Sequence, residues 1–467
     1  MSTTSAPGAT GARRLRTVHF AAAAALGGFL FGYDTAVING AVNALRDTFA
    51  VGSVVTGLAV AIALIGSALG AWYAGTLADR FGRVPVMRVA AVLFLVSALG
   101  SAVPFTVYDF TFWRLVGGIA VGMASVIAPA YIAEISPAAQ RGGLGALQQL
   151  AIVLGIAISQ AVNWLLADFA GSASAPLGPL AAWQWMLAAA AVPALLYGLL
   201  SFSIPESPRY LVATGALDRA RSVLSSIEGG DVDGRLEEIR ESVARDRRPR
   251  VRDLRRAGGG LFPVVWIGIG ISVLQQLCGI NVIFYYSSSL WQSVGIEESG
   301  SLLLSLSTQL FNVAGTVIAL VLLDRVGRRP LLLVGSTGMT ITLAAATFAF
   351  SHAEVVGGSP TLPQPYGPVA LVAAHVFVLF FAISWGPVVW VLLGEMFPNN
   401  LRAPALAVAA AAQWLANFLI TATFPPLSEF SLPLTYLGYT AFAALSLWFV
   451  IRLVPETKGR TLEEMSV

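Results

Sequence analysis

Long apolar runs recur along the whole chain, and they constrain its fold more than any other feature. A helix that crosses a hydrocarbon core about 30 Å thick needs roughly 20 mainly apolar residues. Hydrophobic residues make up 56% of the chain and charged residues only 11%. In soluble domains, charged residues make up roughly a quarter of the chain. The pattern therefore predicts an all-α membrane protein with twelve transmembrane helices. The runs lie near 18–42, 54–78, 85–107, 110–133, 144–167, 181–203, 262–288, 301–323, 331–352, 367–394, 403–424 and 433–454.

The placement of basic residues predicts the orientation of the chain in the membrane. If the N-terminus is cytoplasmic, Arg46 is the only basic residue in an outer loop and Arg114 the only one within a span. The remaining Lys and Arg residues then lie on the inner side, as the positive-inside rule requires. We therefore expect a multi-pass membrane protein with both termini in the cytoplasm. Topology accounts for the net charge of +3, so we expect membrane lipid, and no nucleic acid, among its partners.

A charged segment divides the spans into two sets of six. The predicted domains are an N-terminal six-helix bundle at 1–203, a cytoplasmic linker at 204–261 and a C-terminal six-helix bundle with a short tail at 262–467. Within the linker, Leu236, Ile239 and Val243 recur at helical spacing among charged residues. This spacing predicts short amphipathic helices that pack against the inner face of the protein.

The two halves of the sequence repeat each other. Three elements recur in the same order at offsets of 245, 261 and 250 residues. Internal duplication of six spans is typical of transporters that bind their substrate near the membrane midplane, between two related halves. The matching pairs are Asp79-Arg80-x-Gly82-Arg83 with Asp324-Arg325-x-Gly327-Arg328, Glu134 and Arg141 with Glu395 and Arg402, and Pro205-Glu206 with Pro455-Glu456.

Acidic and basic residues occur together at the predicted inner ends of the spans. Arginines there could serve membrane orientation alone, but orientation does not require the repeated acidic partners. We therefore predict cytoplasmic ion pairs that hold the two halves together when the cavity faces outward. The candidate gating residues are Asp79, Arg83, Glu134, Arg141, Asp324, Arg328, Glu395 and Arg402.

Several further motifs make the chain resemble a known family. It resembles the sugar porter family of the major facilitator superfamily over essentially its whole length, and spans 10 and 11 resemble bacterial xylose and glucose proton symporters. The resemblance implies two pseudo-symmetric six-helix bundles, alternating access and a monosaccharide substrate. The motifs are Arg114-x-x-Gly117-Gly118-x-x-x-Gly122, Pro205-Glu206-Ser207-Pro208-Arg209-Tyr210-Leu211, Gln275-Gln276-x-x-Gly279-x-Asn281, Ser384-Trp385-Gly386-Pro387-x-x-Trp390, Gln413-Trp414-Leu415-Ala416-Asn417 and Pro455-Glu456-Thr457-Lys458-Gly459.

Side-chain amides within the spans match the chemistry of a neutral, polyhydroxylated solute. An amide both donates and accepts hydrogen bonds without placing a net charge in the membrane. The alternative is that such amides only join neighbouring helices. With the family resemblance, the predicted sugar contacts are Gln149, Gln275, Gln276, Asn281, Asn312, Trp390 and Gln413, with Gln160, Trp414 and Asn417 as further candidates.

Two local features of these spans refine the predicted site. Gln275, Gln276 and Asn281 do not share one face of a regular helix, so we expect a break near Gly279. Tyr285 and Tyr286 follow on the same span, where they could close an outer gate or simply pack.

Asp34 and Arg114 are predicted to meet within the first six spans. Asp34 lies about 24 Å along span 1 from its inner end, and Arg114 about 8 Å inside span 4 from the outer side, at 1.5 Å per residue. An unpaired charge at the centre of a membrane helix costs about 2.5–3.5 kcal/mol on insertion scales. We predict that the two residues pair and that the pair couples proton binding to transport. A static structural ion pair is the alternative.

Composition excludes several other classes of protein. The single cysteine, Cys278, cannot form an intramolecular disulfide, and three scattered histidines predict no metal site. We expect no catalytic residues, cofactor or metal. The favoured function is uptake of D-glucose or a similar hexose or pentose by proton symport, by a protein that acts as a monomer. A passive sugar uniporter would share every predicted sugar contact, and a sugar sensor on the same fold is a further alternative.

Overall fold

The structure is a computed structural model. It describes residues 7–137, 140–227, 231–245, 251–255, 259–356, 359–398 and 401–458. In the first half of the chain, seven helices form the six spans, because span 6 is divided into α6 and α7. These helices are α1 (Pro7–Phe49), α2 (Ser53–Phe81), α3 (Arg83–Ala102), α4 (Val107–Ile135), α5 (Arg141–Ala170), α6 (Ala182–Ala188) and α7 (Ala191–Leu200).

The second half repeats this arrangement with more interruptions. Its helices are α11 (Pro263–Leu277), α12 (Ile280–Gln292), α13 (Glu298–Val326), α14 (Arg328–Phe350), α15 (Tyr366–Ile383), α16 (Trp385–Met396) and α17 (Arg402–Leu453). Two short antiparallel hairpins lie in loops, β1 (Pro176–Leu177) with β2 (Leu180–Ala181) and β3 (Glu354–Val356) with β4 (Ser359–Thr361).

The number of membrane crossings agrees with the sequence pattern. Within the described ranges, eleven helical segments are long and apolar enough to cross a membrane. The last of them, Pro404–Leu453, contains 50 residues, which corresponds to about 75 Å, more than twice the thickness of a hydrocarbon core. Its backbone leaves the helical conformation at Ser431, with φ −166° and ψ 106°. Two spans therefore meet at this kink, and the prediction of a twelve-span all-α membrane protein is confirmed.

The end of the first span differs from the prediction. The sequence predicted an apolar span that ends near residue 42 and placed Arg46 in a loop. Helix α1 instead continues to Phe49, and Arg46 lies in its last turn. Arginine is favoured at this position, because its guanidinium group interacts well with the negative end of the helix dipole.

The segment between the halves is helical and packs through a small apolar cluster. It contains α8 (Pro208–Ala213), α9 (Leu217–Ile227), α10 (Val232–Arg245) and a 3₁₀ turn at Val251–Leu254. Leu211, Leu224 and Leu236 are buried together, and Ile239 packs against them. The linker therefore forms helices whose apolar residues pack together, while its position at the cytoplasmic face stays a prediction. We call the end of the bundle that carries these helices the linker side, and the opposite end, where α1 finishes, the distal side.

Two spans of the second half are broken near their middle. Gly279 separates α11 from α12 and has φ +83°, in the left-handed region that glycine adopts without strain. The predicted break near Gly279 is thus confirmed. The other break falls at Ser384, between α15 and α16. Pro387 then lies in the first turn of α16, where the missing N–H of proline is tolerated.

Helices α2 and α4 pack so closely that their contact requires glycine. A Cβ atom at Gly118 would overlap the backbone carbonyl oxygen of Ala63, and one at Gly122 would overlap that of Ser67. Small residues allow such close approach of membrane helices, and packing then contributes directly to their association.

We expect Gly118→Ala to destabilise the protein by about 1–3 kcal/mol, because the added methyl group must separate two backbones. Thermal unfolding in detergent would measure the loss. The matched control is Gly75→Ala on α2, where a Cβ atom meets nothing within 4 Å. An equal loss in both variants would contradict the packing explanation.

Candidate functional site

A cluster of amide side chains lies at the break between α11 and α12. Gln276 donates from Nε2 to Oε1 of Gln275 at 3.1 Å, and Asn281 donates from Nδ2 to Oε1 of Gln276. All three side chains are buried. The break places them together although they do not share one face of a regular helix, so it brings three predicted sugar contacts into one network midway along the span.

Two further helices join this cluster. Gln413 of α17 donates from Nε2 to Oε1 of Gln275 at 2.7 Å, while its own Oε1 is buried and has no partner among the described residues. Gln275 donates from Nε2 to the carbonyl oxygen of Trp385 at 2.6 Å. Trp390 lies one helical turn beyond Gly386 on the same face of α16, and its side chain is 44% exposed. Four of the seven predicted sugar contacts are therefore joined in one hydrogen-bonded network, which we call the amide cluster: Gln275, Gln276, Asn281 and Gln413.

Two further predicted contacts, Asn312 and Gln149, lie on α13 and α5. Asn312 is buried on α13, where it donates to Oε1 of Gln309 at 3.2 Å. Gln149 is half-buried on α5. Among the described residues, neither forms a hydrogen bond to the amide cluster. Gln309 was not predicted as a site residue, yet it is fully buried and its Nε2 has no partner within the described ranges.

The three further candidates differ in how far their polar groups are engaged. Gln160 is fully buried and is bonded to α1, since it accepts from Nδ2 of Asn39 at 3.0 Å and donates to the carbonyl of Ala36. Asn417 accepts from Thr421. The ring of Trp414 lies 6.0 Å from that of Phe31 across the two halves. Gln160 thus has the structural role that the alternative interpretation of buried amides describes.

Asp34 and Arg114 form a buried ion pair. Nη1 of Arg114 lies 3.1 Å from Oδ1 of Asp34 and 3.3 Å from the backbone oxygen of the same residue. The Arg114 side chain is 2% exposed and that of Asp34 is 10% exposed. The structure therefore brings the two residues together at a place shielded from bulk solvent.

A charge network joins helix ends on the linker side of the first half. Arg83 forms two hydrogen bonds of 3.0 Å to the carboxylate of Glu134 and lies 3.5 Å from Asp79. Glu206 accepts from the backbone N–H groups of Arg83 and Val84. The network therefore joins α3 and α4 to the segment that follows α7.

The second half repeats this network. Arg328 donates to Glu395 at 2.7 Å, and Glu456 accepts from the backbone N–H groups of Arg328 and Arg329. Partial burial acts to raise the pKa of Glu456, but four backbone N–H groups, including those of Lys458 and Thr457, hold this pKa below its usual value.

The remaining gating candidates are less fully described. Arg402 donates to the carbonyl of Phe397 at 3.4 Å. The side chains of Arg141 and Asp324 lie outside the described residues. In this conformation Arg83 pairs with Glu134 and Arg328 with Glu395, so these ion pairs lie within one half. Among the described residues, the ion pair between the halves is that of Arg46 with Glu429, on the distal side.

Hydrogen bonds between the halves are concentrated on the distal side. Asn39 accepts from the backbone N–H of Ser288 at 2.9 Å, and Asn43 donates to Oε1 of Gln292 at 3.1 Å. We call these four residues of α1 and α12 the distal seam. Tyr285 and Tyr286 lie just below it and are buried, and Tyr286 donates to the carbonyl of Thr421 at 3.0 Å. The distal side is therefore closed.

The fold and this site together define the class of protein. Two duplicated six-helix halves, with broken helices and buried polar groups at their interface, are the features of a secondary transporter. The family model described as "Sugar (and other) transporter" matches residues 20–467. The chain belongs to this sugar transporter family and is an integral membrane transporter, not an enzyme.

Comparisons with individual relatives cover nearly the whole chain. It is 57% identical to a glucose transport protein of Synechocystis sp., over 95% of each chain. It is 37% identical to a D-xylose-proton symporter of Escherichia coli, over 95% of this chain and 93% of the relative.

Among solved structures, the chain resembles the xylose transporter XylE from E. coli in an inward-open conformation. The TM-score is 0.81 at 35% identity, over 95% of this chain and 98% of that chain. XylE bound to 6-bromo-6-deoxy-D-glucose matches with a TM-score of 0.78 at 36% identity, over 97% and 99% of the two chains. The major facilitator fold is thereby established.

Replacement of Arg114 by methionine tests the energetic role of the buried pair. We expect Arg114→Met to lose about 3–5 kcal/mol of stability, because Asp34 is left as a buried charge without its partner. Thermal unfolding and the yield of folded protein would report the loss. The double variant Asp34→Asn with Arg114→Met should recover most of it, and a double variant as unstable as the single one would contradict the ion-pair explanation.

Proposed function

We propose that this protein takes up D-glucose, or a similar hexose or pentose, by proton symport with alternating access. Two relatives support the proposal, because one is named as a glucose transport protein and another as a D-xylose-proton symporter. A passive sugar uniporter remains the alternative that the transport experiment below distinguishes.

The amide cluster is the observation that carries the proposal. It presents neutral donors and acceptors from α11, α12 and α17, and the free Oε1 of Gln413 requires a donor. A sugar hydroxyl supplies that donor and can also accept. The exposed ring of Trp390 provides an apolar surface for the C–H face of the sugar. We assign direct sugar contact in this conformation to Gln275, Gln276, Asn281, Trp390 and Gln413. The sugar contacts Asn312 and Gln149 in other conformations.

The proposed orientation places the linker side in the cytoplasm of a bacterial-type inner membrane. Both termini and the charged helices α8–α10 then lie inside, in agreement with the positive-inside rule. The proposed units are the bundles 1–203 and 262–467, joined by the linker 204–261, and they function as a monomer. With the distal seam closed, the sugar leaves toward the cytoplasm in this conformation.

Gating is proposed to exchange contacts between the two sides. When the distal seam opens, the linker-side carboxylates and arginines of opposite halves approach each other. Asp79, Arg83, Glu134, Arg141 and their counterparts Asp324, Arg328, Glu395 and Arg402 then hold the cytoplasmic side closed. Tyr285 and Tyr286 move with α12 and cover the sugar from the distal side.

Proton coupling is proposed to act through the ion pair of Asp34 and Arg114. Protonation of Asp34 removes its attraction to the Arg114 guanidinium, which frees α1 from α4. Helix α1 also carries Asn39 and Asn43, whose bonds to α12 close the distal seam. The protonation state of Asp34 can therefore bias the side on which the cavity opens.

Transport by purified protein in sealed vesicles tests the function as a whole. Uptake of labelled D-glucose should rise when an inward proton gradient is imposed, and unlabelled sugars that bind the site should compete. Glucose transport that ignores the gradient would support the uniporter, and absence of transport of any monosaccharide would contradict the proposal.

Gln276→Ala should weaken sugar binding by about 1–3 kcal/mol while the protein remains folded, because bound hydroxyl groups lose a partner in a partly desolvated site. Isothermal titration calorimetry would measure the affinity. Asn163→Ala on α5 is a control for the loss of a buried amide far from the cluster, where Asn163 bonds to the carbonyl of Val37. Unchanged affinity in folded Gln276→Ala would remove this residue from the site.

Asp34→Asn should abolish sugar accumulation driven by a proton gradient but preserve sugar binding and some downhill exchange. The amide keeps an oxygen that accepts from Arg114, so the variant loses the titratable group with little change of shape. Vesicle uptake with and without the gradient, and exchange between equal sugar concentrations, would separate these activities. Gradient-driven accumulation at the wild-type level would overturn the proton-coupling assignment.

A further inference from the structure

Gln275 uses every hydrogen-bonding group of its amide within the protein. A side-chain amide offers two N–H donors and an oxygen with two lone pairs. Nε2 of Gln275 donates to the carbonyls of Trp385 and Gly386, at 2.6 and 3.4 Å, and Oε1 accepts from Gln276 and Gln413 at 3.1 and 2.7 Å. A sugar can therefore bond to Gln275 only if it replaces one of these protein partners.

The two carbonyls that Gln275 binds belong to the first turn of α16, directly after the break at Ser384. Helix α15 ends at Ile383, and Pro387 has no N–H to offer to the carbonyl of that residue. The first turn of α16 is thus attached to α15 by fewer backbone bonds than a continuous helix would have. The bond from Gln275 at 2.6 Å provides a link from this turn to α11.

We propose that a bound sugar hydroxyl takes over an amide N–H of Gln275 and thereby releases the first turn of α16. This proposal rests on the proposed function, since it takes the ligand of the amide cluster to be a sugar. Gln275 is then a sugar contact and also a positioning residue for α16. Sugar binding therefore affects the break at Ser384 because one hydrogen bond is exchanged.

The exchange changes the position of the side chain that stacks on the sugar. Trp390 lies one turn beyond Gly386 on the same face of α16 and is 44% exposed in this conformation. When the first turn of α16 is released, Trp390 can rotate toward the sugar that displaced the Gln275 bond. An empty site keeps the turn bound to α11, so α16 moves only when the site is occupied.

Hydrogen–deuterium exchange of the full-length protein in detergent, with and without saturating D-glucose, tests the proposal. In wild-type protein, sugar should accelerate exchange of the amides of Val388–Trp390 about 3- to 10-fold. The loss of one ordinary hydrogen bond shifts the opening equilibrium of the helix turn by about this factor. In Gln275→Leu, exchange should already be fast without sugar, and sugar should change it no further. Gln275→Glu, which keeps the acceptor oxygens but loses the N–H donors, should behave in the same way if the leucine variant does not fold.

The matched control is Gln413→Leu. It removes a proposed sugar contact and one donor to Gln275, but it leaves the bond from Gln275 to Trp385. Exchange in α16 should therefore be slow without sugar, as in wild type, and should accelerate at a higher sugar concentration. If Gln413→Leu instead showed fast exchange without sugar, general loosening of the cluster would explain the result and the proposal would fail.

The remaining outcomes separate this proposal from the proposed function. If calorimetry shows that wild-type protein binds glucose while hydrogen–deuterium exchange in α16 is unchanged, the proposed change of hydrogen-bond partners is wrong. The assignment of the sugar site is then unaffected. A sugar response in Gln275→Leu equal to that of wild type also overturns the proposal alone. If wild-type protein binds no monosaccharide in the panel, the proposed function fails and this inference fails with it.

Discussion

Backbone groups within a membrane have no water to bind, so each interruption of a helix must be compensated by other groups of the protein. The structure meets this constraint at Gly279 and at Ser384 with one set of side chains. Gln275 bonds the first turn of α16 from the last turn of α11, and Asn281 of α12 bonds back to Gln276. The polar side chains that stabilise the two breaks are therefore also the groups that we propose as sugar contacts, and the proposed site lies where continuous helices are lost.

The same constraint applies to charge. Asp34 and Arg114 are buried together, whereas the ion pairs of Arg83 and Arg328 lie near the ends of the spans, where partial exposure lowers the cost of an ionised group. The duplicated networks around Glu206 and Glu456 anchor the start of α3 and of α14 through backbone N–H groups. Each half thus carries its own linker-side clamp, and the halves can move relative to each other without breaking it.

Hydropathy, duplication and residue depth predict much of this structure. The twelve spans, the helical linker and the break at Gly279 follow from patterns within single segments, and the meeting of Asp34 with Arg114 follows from their depths. The distal seam does not follow from such patterns. Asn39, Asn43 and Gln292 can be recognised as a seam only when it is known which helices face each other. Gln309 was missed for the same reason, and Gln160 shows that a buried amide alone does not distinguish a ligand contact from a bond between helices. The ion pairs of Arg83 and Arg328 were expected between the halves. They lie within each half, because each arginine meets the glutamate of its own copy of the duplicated motif, Glu134 or Glu395.

The polar character of the distal seam has a consequence for how fast the transporter can turn over. An apolar seal would have to expose hydrocarbon surface to water each time it opened, at roughly 25 cal/mol per Å². The bonds of Asn39 to Ser288 and of Asn43 to Gln292 are instead exchanged for bonds to water, and such exchanges leave a net cost of only about 0.5–1.5 kcal/mol each. Water then takes part in the opening of the distal side. Solutes that are excluded from the protein surface lower the activity of that water, so the osmotic conditions on the distal side bias the opening of this seam.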